Sequence, residues 1–232
     1  EAYIVTDNEI DAGNIERVIC KPAAFGNEVK RYGHTKSQDS VIYLTRNEKI
    51  SDFPQIKKRL MPFKTILENK REAKLGSQPW YSVNFPRKRT NFESKEKLLV
   101  QGIRNLSLKR RIVATIDYDK LYADHTLNAL ISKNSDYDLR YVLGILNSSI
   151  VNFLFQKKYV DINIKAVYLC DIPIPQVSIE QQKPIIEKVN QILSIAKKKE
   201  VLTNTHEMNK IDAQLDELVY KLYNITEEEK KI

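Results

Sequence analysis

Three tight runs of cations mark this 232-residue chain: Lys57-Lys58-Arg59, Arg87-Lys88-Arg89 and Lys109-Arg110-Arg111, with Trp80, Tyr81, Phe85 and Phe92 set among them. Side chains of these types have a chemistry in common. Cations displace the counterions condensed on a polyphosphate, and flat rings pack on sugars and bases. The charge is also regional. Residues 46 to 120 hold 19 Lys and Arg against 8 Asp and Glu, a balance of +11, whereas the whole chain carries only +8. The competing account is a basic face that is merely solvated.

Other reactive side chains do not gather into a motif. Glu93-Ser94-Lys95 has the acidic-x-Lys form found in metal-dependent nucleases, but a chain with 29% charged residues produces such short matches by chance. Cys20 and Cys170 have no second Cys or His at ligand spacing. They therefore read as small apolar residues in a reducing, cytoplasmic setting rather than as a zinc site or disulfide. His34, His125 and His206 are scattered, and no HExxH, GxSxG, GxGxxG or GxxxxGK[ST] pattern occurs. Apolar runs such as Ile150 to Phe155 stop far short of the roughly 18 residues of a membrane span. With Glu1 first and no basic-then-apolar leader, the expectation is a piece of a longer cytoplasmic protein.

The elements that must position these residues read as a mixed set. Val41 to Thr45, Leu98 to Ile103, Arg111 to Ile116 and Thr126 to Ile131 have the β-branched and apolar content of strands. Ile56, Leu60, Phe63 and Leu67 are spaced for a helix capped by Ser51 or Asp52, with Pro62 dividing it. Leu75 to Glu96 has no period, and reads as a long loop with a short strand. Leu139, Val142, Leu143, Leu146, Ile150, Phe153 and Leu154 predict one continuous helix opened by Ser135 or Asp136. Val167 to Leu169 reads as a last strand, followed by the extended Ile172-Pro173-Ile174-Pro175. Ser178-Ile179-Glu180-Gln181 is a capping box that launches a helix through Ile185, Val189, Ile192 and Ala196. A second helix carries Ile211, Leu215, Leu218, Val219 and Leu222 and ends near Asn224, and Thr226 to Glu229 repeats the box. The fold class expected is α+β: a mixed α/β domain over residues 1–175, then a helical spacer or dimerisation region over 176–232.

Several strings follow one another in order: FPQIKKRLMPFKTILENKRE (53–72), PWYSVNFPRKRTNFESKEKLL (79–99), YADHTLNAL (122–130), YVLGILNSS (141–149) and YLCDIPIP (168–175). GNEVKRY (26–32) precedes them and IDAQLDELVYKLYNITEEE (211–229) follows. This succession resembles the TaqI-like C-terminal specificity domain, the target recognition part of restriction-modification enzymes that join an adenine-type methyltransferase to a nuclease, and of related phage-defence methyltransferases. The resemblance implies sequence-specific recognition of double-stranded DNA. It places Trp80, Tyr81 and Arg87 at the family's aromatic-aromatic-arginine position and Leu146-Asn147-Ser148 at its helix signature, where a structural role is expected.

The surface expected to meet DNA comprises Arg87, Lys88, Arg89, Arg104, Asn105, Lys109, Arg110 and Arg111, with Trp80 and Tyr81. Cations on phosphates would set the register, and a smaller number of side chains would read base edges. Arg104 and Asn105 are candidates for base reading, although an ordinary turn explains them as well. The adenine methyltransferase motif [ND]PP[YF] and a Gly-rich cofactor loop are absent. No cofactor is therefore expected in this chain, and S-adenosylmethionine and Mg are expected in catalytic domains preceding Glu1. Two other classes stay open: a protein-interaction module whose C-terminal helices self-associate or pack on a partner, and a stand-alone metal-dependent nuclease using Glu93 and Lys95.

Overall fold

The computed structural model describes residues 2–35, 37–133, 136–198 and 206–231. Its strands are β1 (Ile4–Thr6), β2 (Cys20–Ala24), β3 (Val29–Lys30), β4 (Gly33–His34), β5 (Asp39–Ile42), β6 (Lys97–Gln101), β7 (Ala114–Asp117), β8 (Tyr122–Ala123) and β9 (Leu127–Leu130). Its helices are α1 (Asp7–Ala12), α2 (Pro54–Leu60), α3 (Lys64–Glu68), α4 (Arg71–Lys74), α5 (Arg89–Phe92), α6 (Leu139–Asn147), α7 (Ser149–Lys158), α8 (Ala166–Cys170), α9 (Ile179–Lys198) and α10 (His206–Leu222). The mixture is the expected α+β one. Among the described residues no helix is long and apolar enough to cross a membrane.

The chain divides into two compact units: Glu1–Ala24, Ser37–Glu93 and Lys120–Tyr122 in the first, Phe25–Lys36, Ser94–Asp119 and Ala123–Ile232 in the second. In the first, antiparallel β1 and β2 flank β5, with Val5 opposite Ser40 and Lys21 opposite Val41. Val5, Ile10, Ile19, Ile42, Leu44, Ile56, Leu60 and Leu67 form its core. The helical stripe from Ile56 to Leu67 is divided as expected, since a 3-10 turn over Met61–Phe63 carries Pro62 between α2 and α3. Neither Ser51 nor Asp52 caps α2. Its first amides are taken by the Glu16 carboxylate, at 2.9 Å from Gln55 N and 3.1 Å from Ile56 N. The strand expected between Leu75 and Glu96 is replaced by the single turn α5, in a stretch whose prolines remove ladder donors.

In the second unit β6 is the middle of an antiparallel sheet ordered β7-β6-β9, with Leu99 opposite both Thr115 and Ala129. The continuous helix expected after Tyr137 is two helices. Asp138, not Asp136, caps α6, its carboxylate accepting Arg140 N–H at 2.8 Å; the other cap expected, Ser135, lies outside the described residues. Ser148 then takes an extended backbone (ψ 157) and caps α7. This restart shifts the helical phase, so Val151, Asn152 and Phe155 are buried in α7 while Phe153 and Leu154 are left 39% exposed. Val167 to Leu169 is not a strand but the middle of α8, where only Leu169 is buried. Three apolar residues cannot distinguish the two periods.

The C-terminal elements match their sequence signals. Ser178 N–H donates to Gln181 Oε1 at 3.0 Å and Gln181 N–H returns to Ser178 Oγ at 3.3 Å. Asn224, at φ 55, follows α10, and the Thr226–Glu229 box forms. α9 and α10 contribute Ile185, Val189, Ile192, Leu215 and Val219 to the same core as Leu98, Ile116 and Leu143, so residue 175 falls inside this unit. Close approach of α6 and α9 requires Gly144: a Cβ there would stand 2.8 Å from Ile185 Cγ2 and 3.0 Å from Val189 Cγ2.

Two asparagines tie helices to the sheet. Asn147 accepts the Ala114 N–H and donates to the Ala114 carbonyl, both at 3.0 Å, and Asn152 accepts the Ile112 N–H at 2.7 Å. These groups are fully buried, where an unpaired amide costs about 1–3 kcal/mol. Across the neighbouring ladder, Lys97 and Asp117 face each other as a wholly buried ion pair.

Candidate nucleic-acid interface

The first unit presents residues 84–88 as a short crest between two fixed ends. On the entering side the Ser82 carbonyl accepts the Tyr3 hydroxyl at 2.6 Å and the Lys70 ammonium, and Val83 N–H donates to Leu44 O at 2.9 Å. On the leaving side one phenol holds both backbone groups of Arg87: the Tyr43 hydroxyl donates to Arg87 O at 2.7 Å and accepts Arg87 N–H at 2.8 Å. Burial pushes the Tyr43 phenol up, keeping it a neutral donor. The Arg87 and Lys88 side chains are exposed, so their charge stands in solvent on a fixed backbone.

The third member of the run is held inward. Arg89 donates to Tyr43 O at 2.7 Å and lies 3.0 Å from the Glu48 carboxylate. Glu48 is a hub: its carboxylate also accepts Thr45 N–H at 2.7 Å and Thr45 Oγ1 at 2.8 Å, and its carbonyl accepts the Tyr81 hydroxyl at 2.7 Å. Arg46, Glu48, Gln78, Arg87, Lys88 and Arg89 border one open groove. Trp80 and Tyr81 are half-buried against the first unit's core, edge to face at 5.8 Å, and support the loop rather than project from it.

The run in the second unit has a different fate. Arg104 donates to Arg110 O at 3.1 and 2.9 Å and to Gln101 Oε1 at 2.7 Å, closing the 104–110 loop on itself. Asn105 makes the ordinary turn, its Oδ1 accepting Ser107 N–H at 2.9 Å. Lys109 is exposed. Arg110 donates to Asn147 O at 2.7 Å and meets Asp212 and Asp216 at 3.3 and 3.9 Å. Arg111 corrects the expectation of an exposed cation. It is 1% exposed, with its guanidinium on the Asp161 carbonyl at 2.5 Å and the Tyr159 carbonyl at 3.4 Å. Burial lowers the pKa values of Arg104 and Arg111 without discharging either.

The acidic-x-Lys triplet gains no metal partner among the described residues. Glu93 accepts the Tyr122 hydroxyl at 2.7 Å. The group of possible ligands that does assemble is His34, Asp117 and Asp119, their ligand atoms within 4.8 Å of one another. Asp117 is already neutralised by Lys97 and accepts Asp119 N–H at 2.8 Å, which sets that group against a cation. Sequence reasoning missed Tyr43 and Glu48, which fix the loop. The Thr45-x-x-Glu48 box was a legible signal for Glu48, whereas nothing local points to Tyr43.

The profile of the TaqI-like C-terminal specificity domain matches residues 21–174, two thirds of the chain. The chain belongs to this family. Among solved structures, a Type IIL restriction-modification enzyme, MmeI, in complex with DNA, is similar in fold, with a TM-score of 0.69 at 16% identity. The likeness covers 97% of the present chain and 31% of that enzyme, so the present chain spans about a third of its length. No curated protein matches.

Proposed function

We propose that this specificity domain recognises duplex DNA as the target-reading part of a restriction-modification enzyme. The observation that carries the reading is the presentation of Arg87 and Lys88: two exposed cations on a backbone whose donor and acceptor are both held by Tyr43. Fixed cations on phosphates set register, the prerequisite for any reading of base edges. Lys109 and the exposed part of the 104–110 loop offer a second contact on the other unit, while Arg89, Arg110 and Arg111 hold the loops in place. The chemistry then belongs to an adenine-type methyltransferase in the same polypeptide, with S-adenosylmethionine, and Mg where cleavage accompanies it, bound outside this chain. Such an enzyme works on cytoplasmic DNA, and α9 and α10, whose inner faces close the second unit's core, would self-associate only through their outward faces.

The test is binding of the 232-residue chain to a duplex, followed by anisotropy over a salt series. If about five phosphates are engaged, log K falls against log salt with a slope near −4 to −5. The pair R87E and K88E lowers affinity at least tenfold and makes the slope about 2 shallower, with an unchanged Tm. A flat salt response of the unaltered chain rejects the reading.

A further inference from the structure

Resting on that reading, we propose that Phe85 is the residue that enters the base stack: its ring packs on, or wedges into, a base step of the bound duplex beside the phosphates held by Arg87 and Lys88. Three independent features converge on it. Phe85 is 72% exposed, an apolar ring in water at the crest of a basic loop. Its φ is 46, a left-handed conformation that non-glycine residues rarely adopt because the Cβ crowds the backbone there. The crest is pinned two residues to one side by Val83 on Leu44 and two residues to the other by Arg87 on Tyr43. A solvent-filled turn with no task would place Gly or Asn at this position and keep its aromatic inside. Phe92 is kept inside in that way, and Trp80 and Tyr81 are half-buried against the core. Phe85 is therefore the aromatic of the 79–92 stretch left free to stack, on a support that leaves little ordering entropy to lose on binding.

A wedge has a thermodynamic signature separate from that of phosphate contacts. Removing the ring lowers affinity without altering the number of counterions released, so Phe85→Ala should bind a matched duplex about tenfold more weakly with an unchanged salt slope. Phe85→Trp keeps the affinity. A duplex carrying one mismatch, whose step is cheaper to unstack, binds the unaltered chain several-fold more tightly than its matched counterpart, and Phe85→Ala abolishes that preference. Phe85→Gly separates use from structure: relief of the left-handed strain raises Tm by about 2 °C while affinity falls as in the alanine variant. If the unaltered chain binds with a steep salt slope and Phe85→Ala binds equally well, with the mismatch preference absent or retained, the wedge is overturned and the DNA reading survives. If the unaltered chain does not bind at all, both fall.

Discussion

Arg87-Lys88-Arg89 and Lys109-Arg110-Arg111 are nearly the same tripeptide and are handled in opposite ways. In the first, two guanidinium or ammonium groups stay in water and only Arg89 turns inward. In the second, only Lys109 stays out: Arg110 joins Asp212 and Asp216, and Arg111 is buried against the carbonyls of Tyr159 and Asp161. A cation density read along the sequence therefore overstates the charge offered to a polyanion. Three of these six cations, Arg89, Arg110 and Arg111, are internal adhesive for carbonyls and carboxylates.

The largest effect expected from this contrast is on stability. Arg111→Ala removes a fully buried side chain together with its bonds to the Tyr159 and Asp161 carbonyls, so it should destabilise the chain by about 3 kcal/mol in urea unfolding, whereas Arg87→Ala stays within about 0.5 kcal/mol. Equal stabilities of the two variants would erase the distinction. An intermediate effect belongs to Arg110→Met, about 1–2 kcal/mol at neutral pH. Burial holds the Asp216 carboxyl above the usual carboxylate range, with the Ser149 bonds and Arg110 opposing it. A carboxyl with a raised folded value binds its proton more tightly in the folded chain, so the stability it contributes at low pH is lost as pH rises through that value. Removing Arg110 raises it further. The deficit of the variant should thus be smaller at pH 5 than at pH 8, and a deficit independent of pH would show that Arg110 acts through the Asn147 carbonyl alone.

The smallest effect concerns the other end of the 84–88 crest. Burial depresses the Lys70 ammonium, which donates to Tyr3 and to the Ser82 carbonyl, to about 8. The unfolded chain binds that proton more tightly, so stability should rise with pH above about 8, a gain that Lys70→Met flattens. Identical pH profiles of stability for the two proteins would mean that Lys70 does not brace the loop.

What the sequence made legible was local. Capping boxes at Ser178 and Thr226, the proline break at Pro62 and the apolar content of β6 and β9 depend on neighbours within a few residues, and each of these elements formed. The break at Ser148 escaped because apolar residues continue on both sides of it, and only the backbone phase changes. The Arg111 result escaped because its partners lie 48 and 50 residues away, at Tyr159 and Asp161. The Tyr43 clamp on Arg87 spans 44 residues. The loop that carries the basic run was correctly expected to lack regular structure over most of its length. Which of its cations face solvent is a property of tertiary partners, and the resemblance that named Trp80 and Tyr81 named two supports of that loop.

The Asn147 amide that pairs with Ala114 has one more effect. β7 lies at the margin of its sheet, and a margin with free donors and acceptors invites a foreign strand to add, the route to domain exchange and aggregation. Asn147 occupies both backbone groups of Ala114, Asn152 takes the amide of Ile112, and neither belongs to a strand that could itself be extended. Asn147, with Tyr32, whose N–H also donates to the Ala114 carbonyl at 3.0 Å, thereby works as a stopper, leaving that margin no vacant backbone group at Ala114 through which neighbouring copies could polymerise.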